Sequence, residues 1–264
     1  PDEQYWRHVD WVLREAYSHG VVVLAVPAYV GYKLGKQGWA DQMIANGERR
    51  LRHFGEWLGR RYRSYPNVVW VMGGDWSSRF RGKSVAAEID ALAGGIKSID
   101  SHHLMTAHTR RHRSALDDYD RGWLDINSTY GDQNTVFERV RIDYLRAPAL
   151  PTFLIEGRYG NEGGVSDREI RAQIYHALLA GAFGQFYGNA PQWSFSAGVA
   201  DYVADKKGLD WKSHLDDFGA ASIGVAARLA ERYPLHRLEP DFTHKVMLSG
   251  YGDCVSTGGA RDCH

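Results

Sequence analysis

Apolar residues recur along the chain in two alternating rhythms. Residues 3 to 17 place Trp6, Val9, Val12, Leu13, Ala16 and Tyr17 at helical spacing, with Asp2 as the N-cap and Gly20 as the stop. Val21 to Val26 is a continuous β-branched and aliphatic run ending at Pro27, the pattern of a strand buried on both faces. After a loop rich in Gly and aromatics, Leu51, Phe54, Leu58 and Tyr62 mark a helix near 46 to 63, with Trp57 off the stripe and facing a neighbouring helix. The strand Asn67 to Met72 follows, then a helix over 84 to 97, a strand from His103 to Ala107, and a short irregular connection to a strand from Leu124 to Asn127.

Thr135 and Glu138 have capping-box spacing before a helix that runs through Tyr144, and Ser166 and Glu169 repeat the spacing before a helix with Ile170, Ile174, Ala177 and Leu178. Between them Pro151 to Ile155 reads as a strand, and Phe183 to Tyr187 as the last of the series. A long helix near 213 to 232 carries Leu215, Phe218, Ser222, Val225 and Leu229 on one stripe. The six strands recur every 32 residues or so, close to the roughly 31 residues that each unit of a typical (β/α)₈ barrel takes. Alternation alone fits an open doubly wound sheet equally well. No G-x-G-x-x-G or G-x-x-x-x-G-K-[ST] fingerprint follows any strand, which lowers a nucleotide-binding reading.

With 264 residues the chain is long enough for one large core. Its 32 basic and 32 acidic residues cancel, so charge gives no reason to expect a nucleic acid or an anionic membrane as partner. No stretch approaches the roughly 18 consecutive apolar residues of a spanning helix. Pro1 in place of Met, with a helix beginning at once, suggests that the sequence starts inside a longer gene product. The two cysteines, Cys254 and Cys263, stand near the end and have the spacing to close one small loop.

In both α/β architectures ligands bind beyond the carboxyl ends of the strands. The residues there are polar and aromatic: Tyr29 and Tyr32, then Asp75 and Trp76, His108, Asn127 and Tyr130, Glu156, Arg158 and Tyr159, and finally Tyr187, Asn189 and Trp193. Asp75 and Glu156 stand out as carboxylates. If two strands precede Pro1 they occupy strands four and seven of a barrel and face each other across its mouth. A facing carboxylate pair is what glycoside hydrolysis uses, with aromatic rings for the sugar faces and Asn, His and Arg for the hydroxyls. Taken singly, Asp75 after two glycines reads as a turn residue and Glu156 as a partner for Arg158.

The segment from Pro66 through Trp70 to Gly73-Gly74-Asp75 resembles the strand-four signature of apiosidase-like glycoside hydrolases, the glycoside hydrolase family 140 type. Leu58-Gly59-Arg60-Arg61-Tyr62, Trp123-Leu124-Asp125-Ile126-Asn127, Glu156-x-Arg158-Tyr159 and Ala180-Gly181-Ala182 through Tyr187-Gly188 extend the likeness in order. The resemblance implies a (β/α)₈ TIM barrel over residues 1–238, lacking its first two βα units, with 239–264 the start of a β-rich domain. It implies a retaining hydrolase of plant cell-wall glycans with Asp75 as acid/base and Glu156 as nucleophile. Tyr29, Trp76, His108, Asn127, Tyr130, Arg158, Tyr159, Tyr187, Asn189 and Trp193 would bind an oligosaccharide or polysaccharide. No cofactor or metal is implied, the chain acts as a monomer, and family likeness suggests secretion or a periplasmic location. Gly157 replaces the family's Pro after the nucleophile, and Gly160 its second Glu, with Glu162 a lesser candidate nearby.

Two other readings stand beside this one. The departures at 157 and 160 fit a carbohydrate-binding barrel without catalysis. The pair His102-His103, with His108 and His112, invites a metal-dependent hydrolase, although no His-x-His strand-end cluster is present.

Overall fold

The computed structural model describes residues 2–119, 122–132, 134–193, 210–249, 254–257 and 260–263. They fall into two units, Pro1–Ser128 and Thr129–His264.

In the first unit helix α1 (Glu3–Ser18) starts where the Asp2 carboxylate accepts the N–H groups of Gln4 and Tyr5, at 2.9 and 3.3 Å, as its N-cap position predicts. There follow β1 (Val23–Ala25), α2 (Ala40–Tyr62), β2 (Val68–Gly73), α3 (Ala86–Ile99) and β3 (Met105–His108). The three strands form one parallel sheet in chain order, with Val23 beside Val68 and Trp70 beside Met105. In β2, Val68, Trp70, Val71 and Met72 are all buried, which is why this strand reads as an unbroken apolar run. Parallel strands share one carboxyl edge, so the segments after β1 and β2 and the end of β3 bring Tyr29, Asp75 and His108 to the same side.

Helix α2 begins at Ala40, ahead of the expected start near 46, and is broken at Gly47 (φ 69°, ψ 167°). It packs on α3 backbone to backbone. A Cβ on Gly55 would lie 2.2 Å from the Leu92 carbonyl oxygen, and one on Gly95 2.2 Å from that of Arg52. Helix α1 rests on α2 through Trp6, whose ring centre is 4.8 Å from that of Trp57. Arg61 adds a fork, 2.8 Å from Asp10 and 3.1 Å from Glu3.

Ahead of β3, His103 stands between two acceptors: Nδ1 is 2.5 Å from Asp100 Oδ2 and Nε2 is 2.6 Å from the Tyr65 carbonyl oxygen. Both ring nitrogens therefore donate, and the imidazolium is paired with a buried carboxylate. Burial, the largest single influence, would raise the Asp100 pKa; the hydrogen bonds and charge of His103 and the main-chain N–H of His102 together outweigh it and hold the group below the usual carboxylate range. Half of the His102-His103 pair is thus an ion-pair partner of the fold. Among the described residues no cluster of three His, Cys, Asp or Glu side chains is arranged to hold an ion.

Helix α4 (Ala115–Asp118) is a single turn within the short irregular connection before the next strand. That strand, β4 (Asn127–Tyr130), lies beyond the predicted Leu124 to Asn127. Its start and the residues leading into it sit beside β3, where Asp125 N–H donates to Met105 O at 2.9 Å and Ser128 Oγ donates to Ala107 O.

The second unit contains the end of β4, then α5 (Val136–Tyr144), β5 (Thr152–Glu156), α6 (Asp167–Leu179), α7 (Ala190–Trp193) and α8 (Phe218–Arg232). Gly131 N–H donates to the Glu156 carbonyl at 3.1 Å, which sets the end of β5 beside that of β4. Val136, Val140, Leu154, Ala177, Ala180 and Ala182 form a core between α5, β5 and α6. The capping box expected at Ser166 and Glu169 is formed, with main-chain to side-chain bonds of 2.7 and 3.3 Å. The one expected at Thr135 and Glu138 is not. Thr135 Oγ1 bonds Asp132 at 3.1 Å instead, and Glu138 takes Arg141 at 2.7 Å. Stronger partners, an Asx turn and a guanidinium, displace the box.

The strand expected from Phe183 to Tyr187 contracts to a single bridge between Leu154 and Gln185, flanked by Leu154 N–H to Gly184 O at 3.0 Å and Phe186 N–H to Leu154 O at 2.9 Å. A 3₁₀ turn at Trp211–His214 precedes α8, which starts later than the predicted 213. Near the end Cys254–Thr257 pairs antiparallel with Ala260–Cys263, placing the two cysteine backbones opposite each other; the pairing of their side chains lies outside the described residues. Among the described residues no helix is long and apolar enough to cross a membrane.

Candidate active site

Strand β2 leaves the sheet through three successive residues with positive φ: Gly73 (78°), Gly74 (121°) and Asp75 (46°). Glycine is required twice over here, by conformation and by space. A Cβ on Gly73 would be 2.2 Å from the Tyr119 hydroxyl, and one on Gly74 2.3 Å from the Tyr29 ring. The turn that a lone Gly-Gly-Asp predicts is therefore real, and it also presents the carboxyl group to a tyrosine. Tyr29 Oη donates to Asp75 Oδ2 at 3.4 Å, while the Asp75 N–H donates to His108 Nδ1 at 2.5 Å.

Around this turn Trp76 stands edge-on to Tyr32 and Phe80, with ring centres 4.9 and 5.4 Å away. Asp118 fastens the following loop by accepting Ser77 Oγ at 2.8 Å and Arg113 Nη2 at 3.0 Å. Asn127 is fully buried, and its Oδ1 accepts the Leu116 N–H at 3.1 Å. Tyr29, Trp76 and His108 are thus gathered about Asp75, whereas the Asn127 side chain serves the start of α4.

In the second unit Glu156 ends β5 and lines a cavity of about 320 Å³ with Tyr159, Phe186, Tyr187, Asn189 and Trp193. That volume is at the small end of the range for ligand pockets. Burial first, then the charge and hydrogen bond of Glu156, push the Tyr159 hydroxyl well above its ordinary pKa, so it remains a donor to the carboxylate. Burial and the charge of Asp217 push Tyr187 up to about 12. Trp193 stands at the rim, 44% exposed, and Tyr130 is buried.

Two networks hold the pocket walls. Gln173, buried in α6, accepts the Arg158 N–H at 2.9 Å and donates to the Arg158 carbonyl at 3.0 Å. A Cβ on Gly157 would meet that amide at 2.7 Å, so the residue after Glu156 has no room for a side chain here. The Arg158 guanidinium turns to Gly163 O at 3.2 Å. On the other wall, Asn189 is 2% exposed and donates to Asp217 Oδ2 at 2.8 Å, which also accepts Asn161 Nδ2 at 2.6 Å and His214 Nδ1 at 2.9 Å. Burial would raise the Asp217 pKa; the three donors, Asn189 foremost, bring it below the usual carboxylate range. Sequence reading missed Gln173, Asp217 and Asp118. The one visible signal was Gln173, a polar residue beside Ile170, Ile174 and Ala177 on an otherwise apolar stripe.

The sequence matches the family model described as apiosidase-like, catalytic domain, over residues 1–237. The structure is similar to a glycoside hydrolase family 5 protein from Bacteroides vulgatus, with a TM-score of 0.74, 25% identity, and coverage of 87% of this chain and 53% of that one. A second glycoside hydrolase gives a TM-score of 0.71 at 24% identity, covering 87% and 55%. The endo-1,4-β-D-mannanase of Thermotoga petrophila gives 0.57 at 13% identity, covering 84% and 79%. The fold is thus α/β with parallel strands, similar to that of the family 5 glycoside hydrolases. The chain spans about half the length of the first two of these structures. No curated protein sequence matches it.

Proposed function

The chain belongs to the apiosidase-like catalytic domain family, and from that premise we propose that it serves hydrolysis of plant cell-wall glycans with retention, releasing apiose. The observation that carries the reading is Glu156, a carboxylate at a strand end in an aromatic-walled pocket with a tyrosine hydroxyl bonded to it. Aromatic faces suit the apolar faces of a sugar ring, and the pocket volume suits a single terminal residue.

In this mechanism the Asp75 carboxyl gives its proton to the glycosidic oxygen as the bond to the anomeric carbon breaks. A Glu156 oxygen forms a new bond to that carbon from the opposite face. Water then attacks the same carbon, its proton passes to Asp75, and the Glu156 carboxylate is released. The hydrogen bond from Tyr159 steadies the Glu156 charge before attack and after departure. Retention requires the two carboxyl groups about 5–5.5 Å apart when substrate is bound.

The test uses the intact protein with apiose-bearing cell-wall oligosaccharides, following the first-formed anomer by proton NMR. Asp75→Asn and Glu156→Gln are each expected to lower turnover at least about a hundredfold with the fold unchanged. Unaltered turnover in both variants, or an inverted product, rules the mechanism out.

A further inference from the structure

The structure assigns His108 the part of a positioning residue for Asp75, acting on its main chain instead of on the sugar. This rests on the reading of Asp75 as the general acid.

Three positive φ values in a row are costly for the one residue among them that is not glycine, so Asp75 needs outside support to stay at φ 46°. His108 supplies it from both its ends. Its carbonyl accepts the Gly74 N–H at 3.1 Å, and its Nδ1 accepts the Asp75 N–H at 2.5 Å. Tyr119 Oη lies 3.3 Å from the same His108 carbonyl and 3.3 Å from that of Trp76, so one hydroxyl spans the two sides of the turn.

A ring nitrogen that accepts an N–H carries a lone pair and no proton. His108 is therefore the neutral tautomer with its proton on Nε2, and it is an acceptor toward Asp75. Sheet register explains why this residue can reach: His108 is directly opposite Gly73 in the β2–β3 pairing, one step before the turn. The acid is thus aimed by two adjacent strands, and Tyr29 Oη donates to its carboxyl group.

Leaving-group dependence separates this from a merely structural role. An acid matters most when the departing oxygen is basic. In the intact protein, His108→Leu is expected to lower kcat/KM about 30- to 100-fold on 4-methoxyphenyl apioside and less than about fivefold on the 2,4-dinitrophenyl apioside. His108→Asn, whose Oδ1 can accept the same N–H, should recover most of the loss. Equal losses on both substrates overturn the inference. Asp75→Asn is measured alongside: selective in that variant but not in His108→Leu, and only the role of His108 falls; unselective in Asp75→Asn, and the acid assignment falls with it. A second measurement does not depend on activity. Long-range ¹H–¹⁵N correlation should show Nδ1 of His108 unprotonated and hydrogen bonded; a protonated Nδ1 overturns the inference.

Discussion

Gln173 holds the main chain of Arg158 from both sides, its Oε1 2.9 Å from the Arg158 nitrogen and its Nε2 3.0 Å from the Arg158 oxygen. A side-chain amide here replaces the strand partner that β5 has run out of, and it keeps the chain extended just past Glu156.

Coupling between Gln173 and Gly157 follows. Gly157→Ala drives a methyl against the amide and should cost about 1–3 kcal/mol. Gln173→Ala leaves two main-chain groups without their partner and should cost about 1–3 kcal/mol for each. In the double variant the first cost largely disappears, because the amide that barred the methyl is gone. Urea denaturation of all four proteins checks this; additive costs would show that Gln173 is not the obstacle.

The α2–α3 contact has no slack. Gly55→Ala places a methyl 2.2 Å from the Leu92 carbonyl oxygen and is expected to destabilise the protein by about 1–3 kcal/mol. Gly47→Ala tests the other property of glycine: nothing lies within 4 Å of its Cβ position, so any loss there comes from its left-handed φ of 69°. Thermal melts of the two variants separate crowding from backbone strain.

Removing the imidazolium from a buried carboxylate should be more damaging than either. His103→Leu leaves Asp100, 1% exposed, without its counter-charge, at an expected cost of about 3–5 kcal/mol. His103→Leu combined with Asp100→Asn should recover part of that loss in denaturant titrations. No recovery would mean that packing around the ring, and not charge, was lost.

Acid should weaken the wall of the Glu156 pocket through Asp217. Its pKa is lower in the folded chain than in the unfolded chain, where an aspartate titrates near 4 or so. The unfolded state therefore takes up the proton first as pH drops. The stabilisation is whole above that range and fades as pH falls from there through the lower folded value. Asp217→Asn has no such proton to take up, so its stability should vary less with pH across this window. Denaturant midpoints of both proteins at stepwise lower pH give the comparison; parallel curves would exclude Asp217 as a source of the acid sensitivity.

What the sequence made legible depended on whether a residue's partner was apolar and periodic or polar and distant. Helix α1, β2, α3 and the Ser166 capping box follow from spacing alone. Strand β4 does not, because Asn127, Ser128 and Thr129 are polar yet fully buried, and their burial is made acceptable by the Leu116 N–H, the Ala107 carbonyl and Asp143. The apolar Leu124 and Ile126 drew the prediction toward the approach to the strand. At the site, the Gly73-Gly74-Asp75 turn and the strand-end Glu156 were readable, since each follows an apolar run. Asn189 lines the pocket as expected of a strand-end residue, while its amide is also held by Asp217 and the His214 carbonyl. Nothing local to Asn189 in the sequence marks a partner at 217.

The Arg61 fork gives the first helix a property that the sheet does not share. Helix α1 buries only Leu13 fully, and beside the Trp6 contact with Trp57 its hold on α2 includes the attraction of Arg61 for Asp10 and for the more exposed Glu3. Mobile ions screen such attractions, the Debye length falling from about 10 Å at 0.1 M to about 3 Å at 1 M, while burial of Val68, Trp70 and Met72 is indifferent to screening. Raising ionic strength should therefore hasten amide exchange in α1 while β2 stays protected, so that the two elements part company in salt.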